Sequence, residues 1–477
     1  MKICFVAEGC YPYTVGGVSS WIHNMIRSFP EHEFILLTII SNRSQSGKFK
    51  YEIPENVSQI YEVYLEDFDY SSANKRNRKT HLSGKEFDAL RSLILNMQVD
   101  WNTIFDLFQR EDVSVNDLLM GEDFLNIVIE LYKKRYPEIV FSDFLWTMRS
   151  IYLPLFLVLK SHVPEADLYH AVATGYAGVL GAMAKYKYGC GLMISEHGIY
   201  TREREEEIIK ADWVKGIYKN IWIDQFKKMS QVAYDRGDVI TSLFEYARRL
   251  QLELGCPAEK TVVTPNGINE KNFINLSGKT EEDQKYFNIG AVLRLAEIKD
   301  VKTMINAYSF AVKKAPQLKL WIMGPDDEEE YAQECRDLVR FLKLDNVVFT
   351  GRINVREYLG RMDCTILTSI SEGQPLTILE GYAAHLPVIA TDVGNCRGLI
   401  YGENDTYGTA GILTHIMNVE EIADAMIYLA EHPAIAKEMG EVGYKRMMKK
   451  YRLDQMKMTY REIYDWFYET KGKQTEK

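Results

Sequence analysis

NIGAVLRLAEIKDVKTMINAYSFAVKKAPQLKLWIM, residues 288–323, is the stretch whose reading decides the fold. A short apolar run, Asn288–Leu293, is followed by a helical pattern over Val301–Lys314 and by a second apolar run, Leu318–Met323. Strand, helix and strand in that order make one parallel α/β unit, because parallel strands need a crossover between them. Outward from this unit the rhythm continues. Toward the carboxyl end come strand candidates Val347–Thr350, Cys364–Thr368 and Pro387–Ala390, with helical patterns over Glu329–Leu342, Leu376–Ala384 and Val419–Ala430. Toward the amino end come Ile3–Ala7, Glu33–Ile40, Leu168–Ala173, Leu192–Ser195, Val239–Ser242 and Thr261–Thr264.

Two segments break the rhythm. Residues from about 64 to 160 read as helical and charged, and are expected to be a helical insertion in the first domain. Leu276–Lys285 (LSGKTEEDQK) is polar and turn-rich, and is the expected linker. The domains expected are 1–280, 281–452, and a carboxyl-terminal helix over 453–477 able to return to the first domain, with its last residues frayed. The fold class is α/β: two doubly wound, Rossmann-like domains facing a cleft. Ligands of such sheets bind outside the carboxyl ends of the strands.

The chain has 477 residues, 46% hydrophobic and 26% charged, which excludes disorder and small disulfide scaffolds. A net charge of −10 argues against a dedicated nucleic-acid binder, since phosphate contacts need an excess of cations. The seven cysteines are scattered and never spaced C-x-x-C, which fits reduced thiols better than disulfides or zinc. No apolar run approaches the ~20 residues of a membrane span; the longest is Ile151–Leu159. MKICFVAEGCYP lacks a signal-peptide h-region, and the expected location is the cytoplasm.

Four motifs can carry chemistry. In EGCYPYTVGGVSS, residues 8–20, Gly16 and Gly17 precede a helix, so backbone amides and the helix terminus can meet a phosphate or a sugar; a tight strand-to-helix turn reads equally well. In VLRLAEIKD, residues 292–300, Arg294 and Lys299 follow a strand and form a fork and a point charge suited to a diphosphate, unless both are solvated surface cations. In SEGQPLTILEG, residues 371–381, Glu372 and Glu380 straddle a helix start, with Pro375 expected at the first helical position and Leu376 and Thr377 offering backbone there. One carboxylate can accept from sugar hydroxyls and the other from ribose hydroxyls. In SEHGIYTREREEEI, residues 195–208, His197 ends a strand; the acidic run Glu203–Glu207 is expected to be a solvated face. Asp67-Phe68-Asp69 imitates a D-x-D metal site, Gly175, Gly178 and Gly181 read as close helix–sheet packing, and Asp326–Glu330 reads as a helix start.

Taken in order, Gly16-Gly17, His197, TPNGI at 264–268, Arg294 with Lys299, the E-x7-E pair Glu372 and Glu380, and LPVIATDVGN at 386–395 resemble the GT-B glycosyltransferases of the large retaining family 4. EGCYPYTVGGVSSWIHN and SEHGIYTREREEEI resemble its PelF branch. The resemblance implies a retaining hexosyltransferase using a UDP-sugar (UDP-glucose or a UDP-N-acetylhexosamine) on a growing exopolysaccharide. It implies no metal and no tightly bound cofactor. It also implies an inner-membrane polysaccharide synthase complex as partner, at the inner face of the membrane. By the same resemblance, Arg294 and Lys299 hold the donor diphosphate, Glu380 the ribose, Glu372 the transferred hexose, Gly17 the phosphate or sugar, and His197 a hexose hydroxyl. The chain departs from the family at Gln374-Pro375 (usually Phe-Gly), Asp300 (usually Gly) and Asn395 (usually Gly), which predicts a donor geometry of its own. A nonhydrolysing sugar-nucleotide epimerase and a catalytically silent scaffold subunit are the competing readings.

Overall fold

A computed structural model describes residues 1–66 and 80–471. The motif Asp67-Phe68-Asp69 and the carboxyl-terminal residues 472–477 lie outside them. The chain divides into two compact units. One comprises Met1–Ser242, Arg248–Val263 and the described residues from Ile463 on; the other comprises Leu243–Ala247 and Thr264–Glu462.

The first unit holds a seven-stranded parallel sheet. Its strands are β1 Lys2–Glu8, β2 Glu33–Ile40, β3 Val57–Tyr64, β4 Leu168–Ala171, β5 Gly191–Glu196, β6 Val239–Ser242 and β7 Thr261–Val263, in the order β3-β2-β1-β4-β5-β6-β7. Ile3 to Ala7 are buried on both faces of β1, as an apolar run in a central parallel strand requires. The expected helical insertion is helical where described: Gly84–Ile94, Trp101–Gln109, Val115–Met120, Glu122–Arg135 and Phe141–Lys160. Ser83 and Glu86 close a capping box at its first helix. Leu93, Phe105, Phe108, Phe124, Ile127 and Phe156 are fully buried there; each contributes about 1.5–3 kcal/mol by leaving water. Among the described residues no helix is long and apolar enough to cross a membrane.

The second unit holds a six-stranded parallel sheet: β8 Phe287–Val292, β9 Leu318–Met323, β10 Val347–Gly351, β11 Cys364–Leu367, β12 Val388–Thr391 and β13 Gly411–Thr414, in the order β10-β9-β8-β11-β12-β13. The order reverses between β1 and β4 in the first sheet and between β8 and β11 in the second. Those are the switch points outside which doubly wound sheets bind ligands.

Two expectations are corrected. β3 and β13 were not anticipated. β3 is an edge strand with a mostly half-exposed pattern, and β13 is four residues long and opens on a glycine. The seam falls between Val263 and Thr264, not within Leu276–Lys285. Part of the polarity of that segment is consumed by internal pairs: Asp283, 1% exposed, accepts from Arg361 Nε at 2.8 Å, and Lys279 bonds Asp363 at 2.6 Å. The terminal helix, Leu453–Lys471, divides at Ile463, and its later residues belong to the first unit. Its Tyr464 is buried in the first unit, bonded to His170 Nδ1 at 2.9 Å and edge-on to Phe29.

Candidate active site

In the second unit the chain leaves β8 through Leu293, whose amide donates to Met323, and enters a short 3-10 turn, Glu297–Lys299. Asp300 follows at φ +46 and caps the helix Val301–Lys314 by accepting from Thr303 N. Asp is among the few side-chain residues that visit this left-handed region and is a preferred cap, so it can stand at a position that favours glycine. The next loop, after β11, is stitched to this turn. Thr368 Oγ1 donates to the Lys299 carbonyl at 3.0 Å, and Ile370 N donates to Ile298 O at 2.9 Å.

The stitching brings Lys299 and Glu372 together. The ammonium lies 2.6 Å from Glu372 Oε1, with side chains 19% and 13% exposed, and Ser369 Oγ donates to the same oxygen at 2.6 Å. Arg294 is not part of this cluster. Its guanidinium pairs with Asp327 at a half-exposed position. Asp327, read as part of a helix start, is therefore a partner that the sequence did not reveal; the helix itself begins at Glu329.

The helix Leu376–Ala383 starts at Leu376, so Pro375 is not its first helical residue as expected. Pro375 is its extended cap residue, and no side chain caps it among the described residues. Glu380 lies one turn in, and burial pushes its carboxyl up to about 7, with Arg356 pulling the other way. Gln374 is 6% exposed and accepts from the backbone amide of Asn266 at 2.7 Å, tying TPNGI to the SEGQP loop. Gly394 adopts φ +51, and a Cβ there would stand 2.2 Å from Gly373 O. Asn395 N donates to that same carbonyl at 2.8 Å, so the DVGN turn presses on the loop that carries Glu372.

In the first unit the helix Gly17–Ser28 opens on an extended Gly16, and a Cβ at either glycine would meet nothing within 4 Å. The glycines front open space, as a ligand-facing turn would. Trp21 of this helix packs edge-on against His197, ring centroids 4.4 Å apart. His197 Nε2 is buried with no hydrogen-bond partner among the described residues. Burial lowers its pKa to about 4, so the ring is neutral at pH 7.

His197 lines a cavity of about 540 Å3 at the carboxyl edge of the sheet, with Glu8, Tyr13, Tyr200, Glu203 and Arg204. Glu8 ends β1 and accepts from Tyr200 Oη at 3.0 Å and Ala177 N at 3.3 Å. Burial raises its pKa against the pull of Arg204. The Arg204 guanidinium lies 5.5 Å from the Tyr200 ring centroid, with a buried Nε that has no partner among the described residues. Part of the expected solvated face thus lines a cavity; the charged sequence of this helix hid which side each residue takes. Neighbouring Glu196 accepts from Tyr234, Gln251 and Thr174 and is satisfied internally. Gly175, Gly178 and Gly181 are close approaches, but only Gly181 packs against the sheet as read; the other two meet the helices Tyr200–Lys210 and Gly216–Arg236. A Cβ would stand 2.1 Å from the Tyr200 ring, 2.7 Å from Ala233 and 2.5 Å from Leu192, respectively.

The chain belongs to the family described as "Domain of unknown function (DUF3492)", which it matches over residues 1–259. Residues 286–432 match the family described as "Glycosyl transferases group 1". The chain is 27% identical over 244 residues to "Uncharacterized glycosyltransferase MJ1059" of Methanocaldococcus jannaschii, covering 47% of this chain and 57% of that protein. It is 29% identical over 150 residues to "O-antigen biosynthesis glycosyltransferase WbnH" of Escherichia coli, covering 30% of this chain and 42% of that one. The chain thus spans about half the length of these relatives. The crystal structure of Anabaena Alr3699/HepE in complex with UDP superposes with a TM-score of 0.61 at 14% identity, over 98% of this chain and all of that one. This likeness, with the two parallel sheets, makes the fold GT-B.

Proposed function

We propose that this protein is a retaining glycosyltransferase of PelF type, moving a hexose from UDP-glucose or a UDP-N-acetylhexosamine onto a growing exopolysaccharide. The observation that carries the reading is the Lys299–Glu372 pair outside the β8/β11 switch point, where a cation and a hydroxyl-accepting carboxylate are held by two stitched loops. The group 1 glycosyltransferase match over the same segment, and relatives named for polysaccharide synthesis, support it.

In this reading the bond from the anomeric carbon to the diphosphate breaks, and its electron pair leaves with UDP. The acceptor hydroxyl attacks the same face, and its proton passes to the departing phosphate oxygen. Lys299, and Arg294 once it leaves Asp327, neutralise the growing negative charge. At 4 Å and an effective dielectric of about 20, one such charge is worth about 4 kcal/mol. Removal of one stabilising group from such sites costs about 3 kcal/mol, or roughly 100-fold in rate. Glu372 orients the hexose through its hydroxyls, and Glu380 accepts from the ribose. The neutral His197 ring bonds a hexose hydroxyl. The cavity of Glu8, Tyr200 and Arg204 takes the acceptor end, since mixed acids, base and phenols suit a polyol. UDP-sugar is a substrate here, and no resident cofactor or metal enters the scheme. A membrane-bound synthase complex at the inner face of the membrane supplies the acceptor chain.

Turnover of both donors by wild type, Arg294→Ala and Lys299→Ala tests the reading, with NMR of the product's anomeric proton. Full activity in both variants refutes the phosphate assignment. Isomerised donor without acceptor would favour an epimerase, and absence of UDP affinity a silent scaffold.

A further inference from the structure

The helix Leu376–Ala383 carries its proposed donor chemistry near its amino end. Its carboxyl end borders a second cavity, of about 600 Å3, which the transfer reaction leaves unused. Glu270, Lys271, Ile274, Asn275, His385 and Tyr444 are among the residues that line it.

The turn that positions His385 is a Schellman ending. Leu386 N donates to Gly381 O at 2.9 Å and His385 N to Tyr382 O at 3.0 Å, with Ala384 as cap. The residue at this point must be left-handed, and His385 has φ +59. Glycine is the usual occupant and adopts the conformation without steric cost. Asn275, in the lining of the same cavity, is also left-handed at φ +62. Such outliers gather at ligand clamps. The imidazole placed there stacks on the Tyr444 ring, centroids 3.9 Å apart and planes 18° apart, and its Nδ1 lies 3.0 Å from Glu441 Oε1. The seat is rigid: a Cβ on Gly440 would stand 2.1 Å from the His385 carbonyl, so the helix Pro433–Lys450 packs directly on the turn.

The result is a flat, half-exposed ring platform bordered by an exposed Ile274, two acids, one lysine and one amide. The rim has no surplus of cations to select a phosphate. It offers donors and acceptors of both signs beside an apolar plane. A sugar ring has matching chemistry: a C–H face for the plane and a hydroxyl edge for the rim. We infer that this groove is a secondary glycan-binding site, which holds sugar units of a neutral oligosaccharide away from the point of transfer. The inference rests on the glycosyltransferase reading for its source of glycan. Its effect would be to raise the local concentration of chain ends between additions.

The test is binding of N-acetylglucosamine hexamer and of glucose hexamer to the full chain, with the donor site saturated by UDP. Saturation-transfer NMR gives the affinity. His385→Gly is the leading variant, because glycine suits this backbone and should leave the melting temperature unchanged or raised. Tyr444→Ala is the second. Expected is loss of hexamer affinity by about tenfold or more in both, with transfer to a disaccharide acceptor unchanged in His385→Gly. Equal binding in wild type and both variants, or no binding of either hexamer by wild type at millimolar concentration, overturns the site. Hexamer binding lost in the variants from a protein that transfers no sugar keeps the groove and counts against the transferase reading. Transfer without groove binding does the reverse.

Discussion

Lys299 and Glu372, 73 residues apart in the chain, share a contact of 2.6 Å in a largely enclosed position, and Ser369 donates to the same carboxylate oxygen. Breaking such a pair from one side leaves a charge with little water to compensate it. Lys299→Ala should therefore lose about 1–3 kcal/mol of stability in denaturant titration, besides roughly 100-fold in sugar transfer. A variant with wild-type stability and turnover would contradict both roles.

Arg294 and Asp327 make the opposite case. Their pair is half-exposed, and such pairs contribute about 0–1 kcal/mol. Asp327→Asn should leave the melting temperature nearly unchanged but tighten UDP binding several-fold, because the guanidinium is no longer held by a competing carboxylate. Calorimetry showing unchanged or weaker UDP affinity would remove Arg294 from the diphosphate site.

Glu380 makes stability depend on pH. Burial raises its pKa from 4.5 to about 7, so between those values the folded state binds more protons than the unfolded chain. Its contribution is fully present below the unfolded pKa and is lost as pH rises through 7. Glu380→Gln should gain up to about 3 kcal/mol relative to wild type at pH 8, and nothing near pH 4. The ionised form is the better acceptor for ribose hydroxyls. UDP affinity should thus rise from pH 6 to 8 in wild type more steeply than in the variant. Parallel profiles would remove the ribose role.

His197 has the other sign. Its folded pKa, near 4, lies below the ordinary 6.5, so its stabilising contribution is present above 6.5 and declines as pH falls toward 4. His197→Asn should flatten that decline in thermal melts at pH 4–6.5. In wild type, activity should show no break assignable to this ring between pH 6 and 8. A break at 6.5 that disappears in the variant would mean the ring is not buried as described.

Gly394 carries a steric requirement. At φ +51, with Gly373 O 2.2 Å from where a Cβ would be, Gly394→Ala must displace the SEGQP loop. The left-handed backbone alone costs about 1–2 kcal/mol. A melting point lowered by several degrees and a much reduced transfer rate are expected. Wild-type values in both would show that the loop yields freely.

Much of this was legible in the chain itself. Apolar runs marked the central strands, because strands buried on both faces are mostly apolar. β3 escaped because an edge strand such as VSQIYEVY mixes polar and apolar residues; its Glu62 takes hydrogen bonds from Tyr13 and Ser46. Leu276–Lys285 looked like a linker because its polarity is the same whether water or Arg361 answers it. At the site, motif spacing pointed to Lys299, Glu372 and Glu380. It could not point to Asp327, Arg204, Glu8 or the Gln374–Asn266 bond. Asp327, Glu8 and Gln374 are defined by partners distant in sequence, and Arg204 by the side it takes on a highly charged helix, which composition and period do not encode.

The repeated winding has an evolutionary consequence. Two sheets wound alike, the first with one strand more, and matched by two separate families, have the form of modules that recombination can exchange. Under the proposed division of labour, a new amino-terminal module changes which polymer is lengthened while the donor-side chemistry of Lys299 and Glu372 travels intact. Such an exchange has to carry the end of the chain with it, because the described residues from Ile463 on belong to the first unit.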